Sequence, residues 1–122
     1  MAMLSKRYSF TSVVMDNLSI FEQINLFHNA EFIIAPHGAA LTNLAFCKPG
    51  TRVMELFSPN YLFDFYRHLA RATALRHTTV IGEVEDRCRW HPERAYDANL
   101  REIMRNSDYT VELDKITCVL DS

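Results

Sequence analysis

Phe32-Ile33-Ile34-Ala35-Pro36-His37-Gly38-Ala39-Ala40-Leu41-Thr42-Asn43 reads as an apolar strand that stops in a small-residue turn and opens a helix. Ile33, Ile34 and Ala35 have the unbroken apolar character of a strand buried on both faces, and Pro36 cannot donate to a sheet ladder and so ends it. Gly38 permits backbone angles and close approaches that a side chain would forbid. A helix starting at Ala39 presents N–H groups with no intrahelical partner and the positive end of its dipole, so a phosphate can sit against the backbone there. Any chemistry is expected to centre on residues 37–43.

Working outward, the flanks alternate between strand and helix patterns. Phe10 to Met15 is a β-branched run closed by Asp16-Asn17, which predicts a first strand. Ser19 followed by Glu22 fits a capping box, and Ile20, Ile24 and Phe27 share one face of a helix running to about Asn29. A short helix over about 39–46 leads to the turn Lys48-Pro49-Gly50 and a strand from Thr51 to Phe57, ended by Ser58-Pro59-Asn60. Leu62, Phe65, Tyr66, Leu69 and Thr73 form the stripe of a longer helix, and His77 to Val84 supplies another strand. A polar loop over residues 85–93, a helix over about 95–105, a short extended piece from Tyr109 to Leu113 and a final helix capped by Asp114 complete the chain. Strands separated by helices imply right-handed crossovers. The expected fold is an α/β, Rossmann-like three-layer domain with a mostly parallel sheet of four or five strands.

Composition narrows the function classes. With 122 residues, 48% of them hydrophobic, the chain suits one domain over residues 1–122. Its 15 acidic and 13 basic residues give a formal charge of −2 with no basic cluster, which argues against nucleic acid as a partner. Cys47, Cys88 and Cys118 are far apart and odd in number, so neither a disulfide framework nor a zinc knuckle is indicated. No apolar run reaches the roughly 20 residues of a membrane span, and Met1 to Arg7 lack the apolar core of a leader peptide. Together with the unpaired cysteines, this sets the cytoplasm as the expected location.

Phe21-Glu22-Gln23-Ile24, Leu26-Phe27, Ala30-Glu31 and Ile33 through Asn43, followed by Phe46-Cys47, Pro49-Gly50-Thr51, Val53 and Glu55-Leu56, resemble the donor-binding half of glycosyltransferase family 61. The segment from Asp108 to Leu120 resembles that family's C-terminal strand and helix. The resemblance implies the second of two facing Rossmann-like domains of a GT-B enzyme, a fragment of a larger glycosyltransferase used in polysaccharide biosynthesis. It implies inverting hexosyl or pentosyl transfer from a nucleotide sugar, expected to be uridine-diphosphate-linked, to a carbohydrate or glycan acceptor, with no metal and no further cofactor. A homodimer or an N-terminal partner domain would face the donor crevice. A non-catalytic Rossmann-like interaction or nucleotide-binding module is the alternative.

The candidate residues carry physical roles of different weight. Gly38, Ala39 and Ala40 would let the backbone approach a diphosphate, or simply pack a tight turn. His37 is the catalytic candidate: it can donate to the β-phosphate or leaving oxygen and stabilise developing charge, though a lone histidine is more often structural. Thr42 and Asn43 can add donors to the nucleotide or bond their own backbone. Glu55, between Met54 and Leu56 in a strand covered on both faces, needs a partner because an unpaired buried carboxylate is costly. Two ribose hydroxyls, a basic side chain or a neighbouring loop would each supply one. Asp16, Phe57 and Tyr61 are weaker candidates beside the same crevice. Glu83, Glu85 and Asp86 lack metal-ligand spacing and read as solvated.

Overall fold

The computed structural model describes residues 8–60, 62–84, 111 and 113–121. Three strands follow from the apolar runs: β1 (Phe32–Pro36), β2 (Arg52–Phe57) and β3 (Arg76–Ile81). They form one parallel sheet in the order β1-β2-β3, with Ile33 opposite Val53 and Val53 opposite His77. The expected count of four or five strands is therefore too high among the described residues. The run from Phe10 to Met15 is the source of the difference. No backbone hydrogen bond joins it to β1, and its end coils into a 3-10 turn, Met15–Asn17. β-Branched residues favour a strand only where a neighbour supplies a ladder.

Helix α1 (Ile20–Asn29) begins as its sequence dictates: Ser19 Oγ accepts from the Glu22 N–H at 3.2 Å and lies 3.1 Å from the Glu22 carboxylate. Phe27 is buried, whereas Ile20 is 72% exposed, so the buried stripe of α1 is narrower than its sequence predicts. The connection from β1 to β2 is the 3-10 helix Ala39–Phe46, which buries Leu41 and Leu44. Lys48-Pro49-Gly50-Thr51 then closes a turn through Thr51 N–H to Lys48 C=O at 3.2 Å. Gly50 sits at φ +89°, an angle that disfavours any residue with a Cβ.

Helix α2 (Phe65–Ala72) returns the chain to β3 and buries Tyr66 and Ala70. Leu62 and Phe65, expected in its buried stripe, are instead 52% and 62% exposed. Helix α3 (Leu113–Leu120) contains Asp114 within its first turn, one position inside the helix rather than at its cap. The loop over 85–93, the helix over 95–105, Cys88 and Tyr61 lie outside the described residues, as does most of the extended piece at 109–113.

The sheet is covered on both faces. Odd-numbered residues of β1 and β2 (Ile33, Ala35, Val53) pack with Phe27, Leu41, Leu44, Cys47 and Tyr66, while even-numbered ones (Phe32, Ile34, Met54, Leu56) pack with Ile116, Val119, Tyr8 and Phe10. Each fully buried aliphatic or aromatic side chain here contributes about 1.5–3 kcal/mol. Placing both crossover connections on one face is what a single crossover hand produces when strands are added in sequence order. The three layers put the ends of β1 and β2 at one rim, where the first residues after β1 lie.

Candidate functional site

Parallel pairing does not stop at Pro36: the His37 N–H still donates to the Leu56 carbonyl at 2.8 Å. His37 therefore keeps strand parity and projects onto the same sheet face as Ala35 and Val53. That face carries Glu55 one level below it and, by register, His77 one level lower again. The three side chains sit on three different backbones and form one chain of hydrogen bonds. His37 Nδ1 is 2.6 Å from Glu55 Oε2, and His77 Nε2 is 2.8 Å from Glu55 Oε1. The Glu55 side chain is fully buried, with His77 at 7% and His37 at 18% exposure.

Burial and hydrogen bonding decide the chemistry of this line. A carboxylate removed from water must have donors on its oxygens, and here one imidazole serves each oxygen. Glu55 thus has the basic-side-chain partner that its buried strand position demanded, twice over. With His37 Nδ1 committed to the carboxylate, the ring's orientation and the location of one proton are fixed. Aromatic rings surround it. His37 stacks with Phe57 at 5.0 Å and with Phe63 at 5.9 Å between ring centroids, and Tyr66 lies 5.3 Å away. These neighbours keep bulk water from the imidazole while leaving it partly open at the rim.

The other predicted residues divide. Thr42 is exposed, and its hydroxyl lies 3.4 Å from that of Tyr66, which places it beside the His37 cluster. Asn43 is turned away from the rim: its amide donates to Gln23 Oε1 at 3.1 Å and to the Ala40 carbonyl at 3.0 Å. Gln23 in turn donates to the carbonyls of Met15 and Leu18. Asn43 therefore fastens the 3-10 helix to α1, as its capacity to bond neighbouring backbone suggested.

Gly38 adopts φ 172°, ψ 170°, an extended conformation open to any residue. Among the described residues, a Cβ there would meet only the Pro36 carbonyl, at 3.9 Å. Neither its backbone angles nor packing against the described residues require glycine at this position, in contrast to Gly50. Gly38 lies next to an exposed Ala39 and a partly exposed Ala40.

Asp16 is exposed in its 3-10 turn, and Glu83 forms a solvated pair with Lys115 at 3.9 Å. Among the described residues, no group of three or more histidine, cysteine or carboxylate side chains is arranged to hold a metal ion. Nor is any described helix long and apolar enough to cross a membrane. Sequence reasoning missed His77. Its signal was a histidine inside a β-branched run, legible as a partner for Glu55 only when the β2–β3 register is known.

Residues 1–54 match the family model described as Glycosyltransferase 61. The match takes in the turn from His37 to Asn43 and ends one residue before Glu55. No curated protein and no solved structure gives a match.

Proposed function

We propose that this chain supplies the nucleotide-sugar-binding domain of an inverting glycosyltransferase, with the diphosphate seated against Gly38, Ala39 and Ala40 and beside His37. The observation that carries the reading is the buried Glu55 carboxylate bonded to His37 Nδ1 at the carboxyl end of a parallel strand, within a stretch that begins in the glycosyltransferase 61 match. Ligands of open parallel sheets bind at that end of the strands. When Nε2 also carries a proton, the resulting imidazolium is balanced by Glu55 and offers a charge-assisted hydrogen bond to a phosphate oxygen. That bond strengthens as the sugar departs and negative charge collects on the leaving diphosphate, which is the condition for lowering the barrier. Thr42 adds a hydroxyl from the exposed side of the 3-10 helix. Glu55 acts through His37, since its side chain is fully buried and each of its oxygens is bonded to an imidazole. The acceptor, a carbohydrate or glycan, approaches across the rim carrying Leu62, Phe63 and Phe65.

Calorimetry with uridine diphosphate tests the assignment on the native chain and on Gly38→Leu. The variant is expected to fold, since the site has room for a Cβ, and to lose nucleotide binding at least tenfold. Undiminished binding to a folded Gly38→Leu protein would remove the diphosphate from this turn. Absence of binding by the native chain to uridine, guanosine or cytidine diphosphate would leave it a non-catalytic module of the same fold.

A further inference from the structure

His77 stands on the side of Glu55 remote from the rim, in β3, and hydrogen-bonds to Glu55 rather than to any residue assigned above to a ligand. We infer that His77 is a positioning residue: its Nε2–H holds the Glu55 carboxylate so that the other oxygen accepts from Nδ1–H of His37, which keeps the His37 proton on the nitrogen facing the sheet. The inference rests on the proposed function for its catalytic meaning, but its structural content stands on the line of hydrogen bonds alone.

The argument is one of charge and donor counting. A single carboxylate can balance a single imidazolium, so when His37 is charged, His77 must serve as a neutral donor. His77 is the more deeply buried of the two, at 7% against 18% side-chain exposure. A neutral imidazole has one N–H. At 2.8 Å from Glu55 Oε1, His77 must place that proton on Nε2 if the carboxylate is to stay ionised and fully bonded. Were His77 to lose this donor, Glu55 would keep one bonded oxygen in a site closed to water. It would then turn toward another donor, and that turn releases Nδ1 of His37 from the carboxylate.

The register makes this assignment specific. Opposite Glu55 in β3 stands Thr79, and opposite Val53 stands His77, so His77 reaches diagonally along the sheet to the carboxylate. A one-residue slip would send its side chain to the opposite face.

Nitrogen-15 NMR of the protein labelled at histidine reads the outcome directly, because protonated and unprotonated ring nitrogens have well-separated shifts. In the native protein, Nε2 of His77 and Nδ1 of His37 are expected to be protonated, with a downfield Nδ1 proton on His37. A native His77 bearing its only proton on Nδ1 overturns the proposal without recourse to any variant. In His77→Phe, the downfield His37 proton is expected to disappear and a second tautomer to become populated, whereas His77→Gln, which retains an N–H donor, restores the native pattern. An unchanged His37 spectrum in His77→Phe also overturns it. If that variant does not fold, Glu55→Gln serves: an amide offers one acceptor and one donor, so one of the two histidines must change tautomer, and two unchanged spectra refute the line. Uridine diphosphate titrations are scored separately. A native chain with these tautomers and no nucleotide binding sinks the proposed function and leaves the positioning by His77 standing.

Discussion

A thiol ionises where its negative charge can be solvated, and Cys47 lies buried in the cluster formed by Phe27, Leu41, Leu44 and Val53. Burial pushes it up from 9.0 to about 11. The folded state therefore holds a proton that the unfolded chain releases above about 9. The associated stability is complete below that pH and is lost as pH rises from about 9 to about 11. Cys118 is exposed. At pH 8, iodoacetamide is expected to modify Cys118 in the native protein and Cys47 only on unfolding, as followed by peptide mass mapping. Equal rates at the two sites would show that Cys47 is not sealed. At the same residue scale, Glu55 was legible from sequence as an anomaly because a carboxylate among buried neighbours needs partners. Its partners were only half legible. His37 was a candidate in its own right, but His77 lies 22 residues beyond Glu55, and only the register of β2 with β3 brings it within reach.

Elements were clearest where local chemistry acts alone. The Ser19–Glu22 cap and the turn through Gly50 need nothing beyond their own neighbourhood, and both stand where the sequence puts them. The failures share a cause. Phe10 to Met15 has strand composition without a ladder, and the predicted stripe of α2 depended on which side the sheet lay. One element carries a local conflict open to test. The end of α2 closes in a double-bonded C-cap, with Leu75 N–H to Ala70 C=O at 2.8 Å and Ala74 N–H to Arg71 C=O at 3.3 Å. Ala74 occupies its left-handed position at φ 59°, where glycine is preferred. Ala74→Gly is expected to stabilise the fold by about 0.5–1 kcal/mol, the relief of Cβ strain exceeding the entropic cost of glycine. Urea unfolding measures it. A lowered midpoint would mean that the alanine methyl packs more usefully than its backbone angle suggests.

For the whole molecule, the layered α/β class was legible because each strand pattern alternates with a helical one, whereas the sheet's breadth was not, since width depends on pairing between distant segments. The outer edge of β1 borders an apolar cleft of about 210 Å³ lined by Phe10, Val13, Met15, Leu26 and Ile34. Pro36 ends the strand beside it, a position suited to an edge. At the rim, Leu62, Phe63 and Phe65 expose large apolar side chains, while Phe57 is buried. Such surfaces promote association. Sedimentation velocity is expected to show a weight-average coefficient that rises with concentration, and a constant monomeric value up to millimolar protein would exclude it. The hydrogen-bonded line from His77 through Glu55 to His37 gives the sheet a further property. It joins β3 to the rim, so the opening of β3 and the occupancy of the rim must share one thermodynamic cycle. Saturating the rim with a ligand that engages His37 should accordingly slow deuterium uptake at Thr78 to Val80, amides on the far side of the sheet from where that ligand sits.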